Sequence, residues 1–236
     1  VGQSSTVTVN TSQVGFRPGS ADVTGRSLQA ARTPVFGDLT RTVGGFTVPI
    51  TNYDDSFTWA PTVDHGSVEV VVTGSAGVLT VTGLNDGQEA TATVTTNKDG
   101  FFEGTNTVTN AALNAAYVPT LGDPVPGDRS FTVEITNYDD AYTWTPHKTA
   151  GDVAIATDGG TTVIAVTNLT IGQEATVSVD TTRVGYRKGS SVEKTGAALK
   201  AARNPVFGTV VRTPDGFTAP ITNYDPAFSW APTTTA

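Results

Sequence analysis

Clustered Asn and Asp side chains are the residues of this chain whose type and spacing first suggest chemistry. Asn52, Asp54 and Asp55 return as Asn137, Asp139 and Asp140, then as Asn223 and Asp225 with Pro226 in third place. Calcium takes roughly six to eight oxygen ligands, often several from one loop, and such clusters are where it would bind. The same residue types also close Asx turns by bonding their own backbone. Pro226 favours the turn, because a required ligand is not exchanged for proline in one copy. The expectation is no metal and no cofactor, with Asn52, Asp54, Asp55 and Asn137, Asp139, Asp140 as the calcium candidates.

No other constellation suggests catalysis. His65 and His147 stand at non-equivalent positions, beside Gly66 and Pro146. A hydrolytic triad needs a nucleophile, a base and an orienting acid within reach, and no spacing marks such a set. The absence of Cys removes disulfides, thiolate metal sites and thiol nucleophiles. The chain is expected not to be an enzyme. Trp59, Trp144 and Trp230 could serve as sugar-stacking platforms, but each shares strand parity with an aromatic two residues earlier: Phe57, Tyr142 and Phe228. One large aromatic per domain on a central strand is what a sandwich core needs, so the tryptophans are expected to be largely buried. Phe16, Phe101 and Tyr186 each follow a glycine and are the better candidates for contacts between domains or chains.

The elements that must position these residues follow from an internal repeat. Ile50-Thr51-Asn52-Tyr53-Asp54 recurs at 135–139 and 221–225, and the tryptophans after it are 85 and 86 residues apart. Gly87-Gln88-Glu89-Ala90-Thr91 recurs at 172–176, and Pro34-Val35-Phe36-Gly37 at 205–208. Such a period exceeds a solenoid unit and suits a small independent β-sandwich. Composition agrees: 43 Thr and 30 Val fit pleated, half-buried strands. Alternation recurs throughout, with Phe46, Val48 and Ile50 on one face and Leu79 and Val81 on another. Pro49 and Pro220 interrupt the second strand, which must be an edge or bulged at that point.

The expected fold class is therefore all-β: tandem Ig-like or fibronectin III-like β-sandwiches of about 85 residues each, arranged end to end. Residues 33–117 and 118–203 read as complete repeats, with 1–32 the C-terminal part and 204–236 the N-terminal part of others. The joints Leu28–Arg32, Leu113–Tyr117 and Leu199–Arg203 carry no Gly/Ser run and read as short and stiff. The ragged ends allow two expectations. Either the chain is cut from a longer array, or 204–236 of one subunit completes 1–32 of the next by strand addition. The composite would lack the segment equivalent to 66–85, which favours the array.

Net charge is −8, from 14 basic and 22 acidic residues, without a Lys/Arg cluster to follow a phosphate backbone; nucleic acid is not an expected partner. No apolar run approaches the roughly 20 residues of a membrane span.

The stretch Leu79–Val94 (LTVTGLNDGQEATATV) resembles the E–F region of bacterial fibronectin type III-like modules, in which a leucine, a Gly-containing turn and an alternating strand follow in that order. Ala90 and Ala175 depart from it where the family carries an aromatic, and the Trp is closer to the immunoglobulin side of the superfamily. The resemblance implies a structural, non-enzymatic segment of a bacterial extracellular filament or surface stalk. It further implies a secreted or cell-surface location, with neighbouring repeats and possibly other copies of itself as partners. An adhesin or a glycan-binding module ancillary to a secreted protein is the alternative.

Overall fold

The computed structural model describes residues 1–233. It contains nineteen strands and, among the described residues, no helix. Two compact units form: Val1–Thr120 with Asn137–Thr145 and Val179–Val192, and Leu121–Thr136 with Pro146–Ser178 and Glu193–Ala236.

The first unit opens with β1 (Ser4–Thr11) and β2 (Gly19–Arg26), an antiparallel hairpin paired from Ser4↔Arg26 to Thr11↔Gly19. Seven strands follow: β3 (Thr40–Thr42), β4 (Gly45–Ile50), β5 (Thr58–Val63), β6 (Ser67–Thr73), β7 (Ala76–Thr82), β8 (Glu89–Asn97) and β9 (Gly104–Ala111). They form one sheet in the order β3-β4-β7-β6 and another in the order β5-β8-β9. That division, first, second, fifth and fourth strands against third, sixth and seventh, is the constant-type immunoglobulin topology. Strands β3 to β9 form an Ig-like sandwich.

Its core follows from strand alternation, which sends every second side chain to one face. Phe46, Val48, Ile50, Leu79 and Val81 from the first sheet meet Ala90, Ala92 and Val94 from the second, joined by Leu84 after β7 and Ala112 after β9, all buried. The intervening residues are mostly Thr, and two cross-strand hydroxyl pairs, Thr91–Thr109 at 2.9 Å and Thr95–Thr105 at 3.5 Å, tie β8 to β9. Trp59 is half-buried and packs at the margin of the core rather than inside it. Its indole N–H donates to the Asp54 carbonyl at 2.9 Å, which holds the ring at the rim where that turn lies. Trp144 and Trp230 are half-buried too and bond Asp139 O and Asp225 O at 2.8 Å. The expectation of largely buried tryptophans is therefore corrected: an indole with a turn carbonyl to satisfy stays at the rim.

Pro49 exposes its ring on β4, a strand flanked on both sides rather than an edge. Its carbonyl accepts from Gly37 N at 2.8 Å, so its missing N–H would face residues 35–37, not β7. There the pairing is reduced to the single bridge Phe36↔Ile50, and the regular ladder resumes at Thr40↔Thr47. The interruption falls where the donor is lacking.

Further strands are β10 (Val125–Gly127), β11 (Ser130–Glu134), β12 (Thr143–Lys148), β13 (Asp152–Asp158), β14 (Thr161–Thr167), β15 (Glu174–Thr182), β16 (Gly189–Ser190), β17 (Lys194–Ala197), β18 (Val211–Thr213) and β19 (Gly216–Thr218). In the second unit β10-β11-β14-β13 repeats the order of β3-β4-β7-β6, with Phe131, Val133, Ile164 and Val166 buried. Glu174–Val177 of β15 pair there with β17, whereas Asp180 and Thr181 pair with β16 in the first unit. β18 and β19 form a hairpin from Val211↔Thr218 to Thr213↔Gly216.

Candidate functional site

Of the residues first considered for metal, Asn52, Asp54, Asn137 and Asp139 bond backbone, while Asp55 and Asp140 are exposed. Asp54 Oδ1 accepts from Ser56 N at 3.0 Å and Ser56 Oγ at 2.7 Å, an Asx turn. The Ser56 hydroxyl, then its amide, holds the Asp54 carboxyl below the usual carboxylate range, assisted by Arg32 and Lys98. Asp139 and Asp225 close the same turn onto Ala141 N and Ala227 N. Asn52 turns away from this loop: Nδ2 donates to Thr33 O at 2.7 Å and Oδ1 accepts from Val35 N at 2.9 Å. Asn137 makes the same pair with Val118 and Thr120, and Asn223 with Asn204 and Val206. Among the described residues no three His, Asp or Glu side chains gather as a metal site would require. His65 lies 3.3 Å from Asp64, whose carboxyl is lowered chiefly by the Thr91 amide. His147 lies on β12 and is exposed.

What recurs instead is a clasp on the joints. At Leu113–Tyr117 the hairpin tip between β15 and β16 closes on the chain. Asn114 N donates to Gly185 O at 2.9 Å and Arg187 N to Asn114 O at 3.0 Å, a short parallel bridge. The Asn114 side chain adds a bond to Gly185 O at 3.1 Å. At Leu28–Arg32 the tip between β8 and β9 does the same: Gln29 N to Gly100 O at 2.8 Å, Phe102 N to Gln29 O at 3.0 Å. Gly100 and Gly185 both have φ +80°, which an L side chain adopts only with strain, so the glycine before each aromatic sets the tip's shape.

A box of rings and cations lies under each tip. Phe101 meets Phe57 edge-on at 5.0 Å, with Lys98 Nζ 4.8 Å and 5.3 Å from the two ring centres and Arg32 5.6 Å from Phe57. In the second copy Tyr186 meets Tyr142 edge-on at 5.5 Å, and Arg183 covers both rings at 4.9 and 5.3 Å. Tyr117 replaces Arg32 and stacks on Tyr142 at 4.5 Å. Each ring pair contributes about 0.5–1.5 kcal/mol and each exposed cation about 0.5–1 kcal/mol.

Backbone beneath the box is bound as well. Thr96 Oγ1 donates to Arg32 O at 2.6 Å, and Thr181 bonds Tyr117 O likewise. A Cβ at Gly104 would stand 2.6 Å from Arg32 O, and one at Gly189 2.0 Å from Tyr117 O, so glycine is required for the joint to approach. Arg32 Nε and Tyr117 Oη then donate to the carbonyls of Asn52 and Asn137 at 3.0 and 2.6 Å. The second clasp adds the ion pair Arg187–Asp86 at 2.5 Å, part-exposed and worth about 0.2–1 kcal/mol. The clasp segments Asn137–Thr145 and Val179–Val192 belong to the same compact unit as residues 33–117.

Phe101 and Tyr186 were legible from their glycines. Gln29, Asn114, Arg32, Lys98 and Arg183 were missed, although the cation three residues before the aromatic in both full copies was a signal.

No family model and no curated protein matches the chain. Among solved structures, it is similar to a chimeric titin Z1Z2 carrying a KLER peptide from decorin, at 12% identity over 74% of this chain and all of that one, with a TM-score of 0.32. Murine CEACAM1b matches at 10% identity over 66% of this chain and 97% of that one, TM-score 0.34. Dpr2 Ig1–Ig2, solved with DIP-Theta Ig1–Ig3, matches at 12% identity over 72% and 100%, TM-score 0.34. Superpositions this loose do not bear on the functional reading, which rests on the chain's own residues.

Proposed function

We propose that this chain is a structural, non-enzymatic segment of a tandem array of Ig-like sandwiches in which every joint is clasped by the repeat that follows it. Residues 33–117 and 118–203 are then two complete domains, and 1–32 and 204–236 are parts of two more. The observation that carries this reading is the recurrence of one clasp at two successive joints: the same parallel bridge and the same ring-and-cation box. A chain with free-swinging domains has no need of such a set at each joint. A connection that must transmit orientation does, as a stalk or filament requires. The fibronectin-like phrase at 79–94 supports a bacterial secreted or cell-surface setting for that role.

Residual dipolar couplings from the two complete repeats in a weakly aligned sample test the reading. One alignment tensor fitting both 33–117 and 118–203 is the expected result. Two unrelated tensors would mean independently moving domains and would remove the rationale for a clasp.

A further inference from the structure

Every edge of the sandwich formed by β3 to β9 is blunted except one. β3 is only three residues long, β5 carries Pro61, and β9 is tied at Asn106, whose Nδ2 donates to Pro34 O at 2.9 Å. Short edges, proline and covering loops are the ways in which a sheet avoids pairing with other chains. β6 has none of them. It ends the sheet β3-β4-β7-β6, runs seven residues as Ser-Val-Glu-Val-Val-Val-Thr, and holds Glu69 as its only charge.

The register shows which backbone groups of β6 are free. Pro49 O accepts from Gly37 N, away from β7, so Phe46, Val48 and Ile50 bond β7 at Val81, Leu79 and Gly77. Backbone groups alternate in direction along a strand, so Val78 and Thr80 of β7 bond β6 at Val71 and Glu69. Val68, Val70 and Val72 therefore point their N–H and C=O away from the sheet. Among the described residues no further strand or loop backbone reaches them. Val68 and Val70 pack their side chains on the core, whereas Val71 and Val72 are 41% and 47% exposed.

This edge belongs to the repeat and not to the limits of the chain. β6 lies inside its own sandwich, and its counterpart β13, which follows that sandwich, likewise ends its sheet. The two strands differ in self-complementarity. β6 reads nearly alike in both directions about Val70: a two-fold axis there sets Ser67 against Thr73, Val68 against Val72 and Glu69 against Val71. That register matches the free groups, since Val68–Val72 and Val70–Val70 become the pairs that exchange two hydrogen bonds each. The same axis at Ile155 of β13 sets Asp152 against Asp158 twice, and like charges directly opposite are destabilising.

We infer that two copies of this chain pair side by side, β6 against β6, antiparallel about a two-fold axis at Val70. The pairing joins two four-stranded sheets edge to edge and closes at the dimer, because the contact uses the same patch on both copies. A second copy, rather than an extended segment of another protein, is the occupant because the strand complements itself in register, side-chain size and hydroxyl ends. Neither the clasp nor the ends of the chain take part in this contact.

Sedimentation velocity on the 236-residue chain, with Val71→Glu and Val71→Lys variants, tests the pairing. Val71 is partly exposed and its backbone bonds stay within the sheet, so both variants should keep the fold, which circular dichroism checks. Wild type should pass with concentration from the 24.4 kDa monomer to twice that mass and no further. In the two-fold register residue 71 faces Glu69 of the other copy. Val71→Lys should therefore tighten the dimer by about 2- to 30-fold, and Val71→Glu should weaken it by as much. The amides of Val68, Val70 and Val72 should exchange more slowly in the dimer than in the monomer, while those of Glu69 and Val71 are slow in both. A chain that is monomeric to its solubility limit, species larger than a dimer, or two variants that leave the equilibrium unchanged or shift it in the same direction would each overturn the pairing.

Discussion

Residues 33–63 and 204–233 carry nearly the same sequence, and the structure gives them the same local bonds with opposite burial. Both have the Asn clamp at 2.9 Å, the Asx turn at 3.0 Å and the indole bond at 2.8–2.9 Å. Both have the bridge between the Phe after Pro-Val and the Ile before Thr-Asn. Yet Phe46 is fully buried and Phe217 is 70% exposed. Short-range hydrogen bonds are therefore written in the Asn-Tyr-Asp phrase itself and need no sandwich around it. Burial of Phe46 comes from β7 and β8, which lie later in the repeat than this segment.

Substitution of the paired phenylalanines should expose this difference most. Phe46→Ala is expected to destabilise the chain by about 3–5 kcal/mol, through lost transfer energy plus the cavity left behind. Phe217→Ala should change stability by no more than about 0.5 kcal/mol, as for a surface site. Denaturant unfolding of the two variants checks both values.

A smaller effect is expected at the shared clamp. Asn137→Ala removes two bonds to the backbone at Val118 and Thr120 and should cost about 1–3 kcal/mol. Asn223→Ala removes the same bonds from a segment without a core. It should leave global unfolding unchanged and alter only the exchange of the Val206 amide, visible by NMR.

The smallest effect concerns the turn. Asp54 has a Ser hydroxyl that Asp139 and Asp225 lack, because Ala141 and Ala227 stand in its place. With its folded pKa lowered, Asp54 stabilises the fold above the ordinary carboxylate pKa, and the contribution fades as pH falls through the lowered value. Ser56→Ala should raise the Asp54 pKa toward the usual range in an NMR titration. An unchanged titration would remove the hydroxyl from the account.

Much of the fold was legible because strand alternation and an 85-residue recurrence are both local patterns. Phe46, Val48, Leu79 and Val81 could be placed in the core from parity alone, and Pro49 on an outward face. The tryptophans were harder. Parity places Trp59 on the inward face, but it does not report that the indole N–H must reach the Asp54 carbonyl at the rim. Asn52 was legible as a special residue but not in its role, since its partners Thr33 and Val35 lie about twenty residues upstream. The clasp was the least legible part. Gln29 meets Phe101 across more than seventy residues, and no periodicity within a repeat connects a joint to the tip of the repeat that follows.

Amide hydrogen exchange at the joints tests the central claim most directly. The account predicts slow exchange for Asn114 and Arg187, and for Gln29 and Phe102, at rates close to those of amides inside the β8–β9 ladder. Their donors close the parallel bridges at 2.8–3.0 Å. Exchange at these four amides as fast as in an exposed loop, with β8 and β9 still protected, would mean that the tips do not hold the joints and would contradict the clasp.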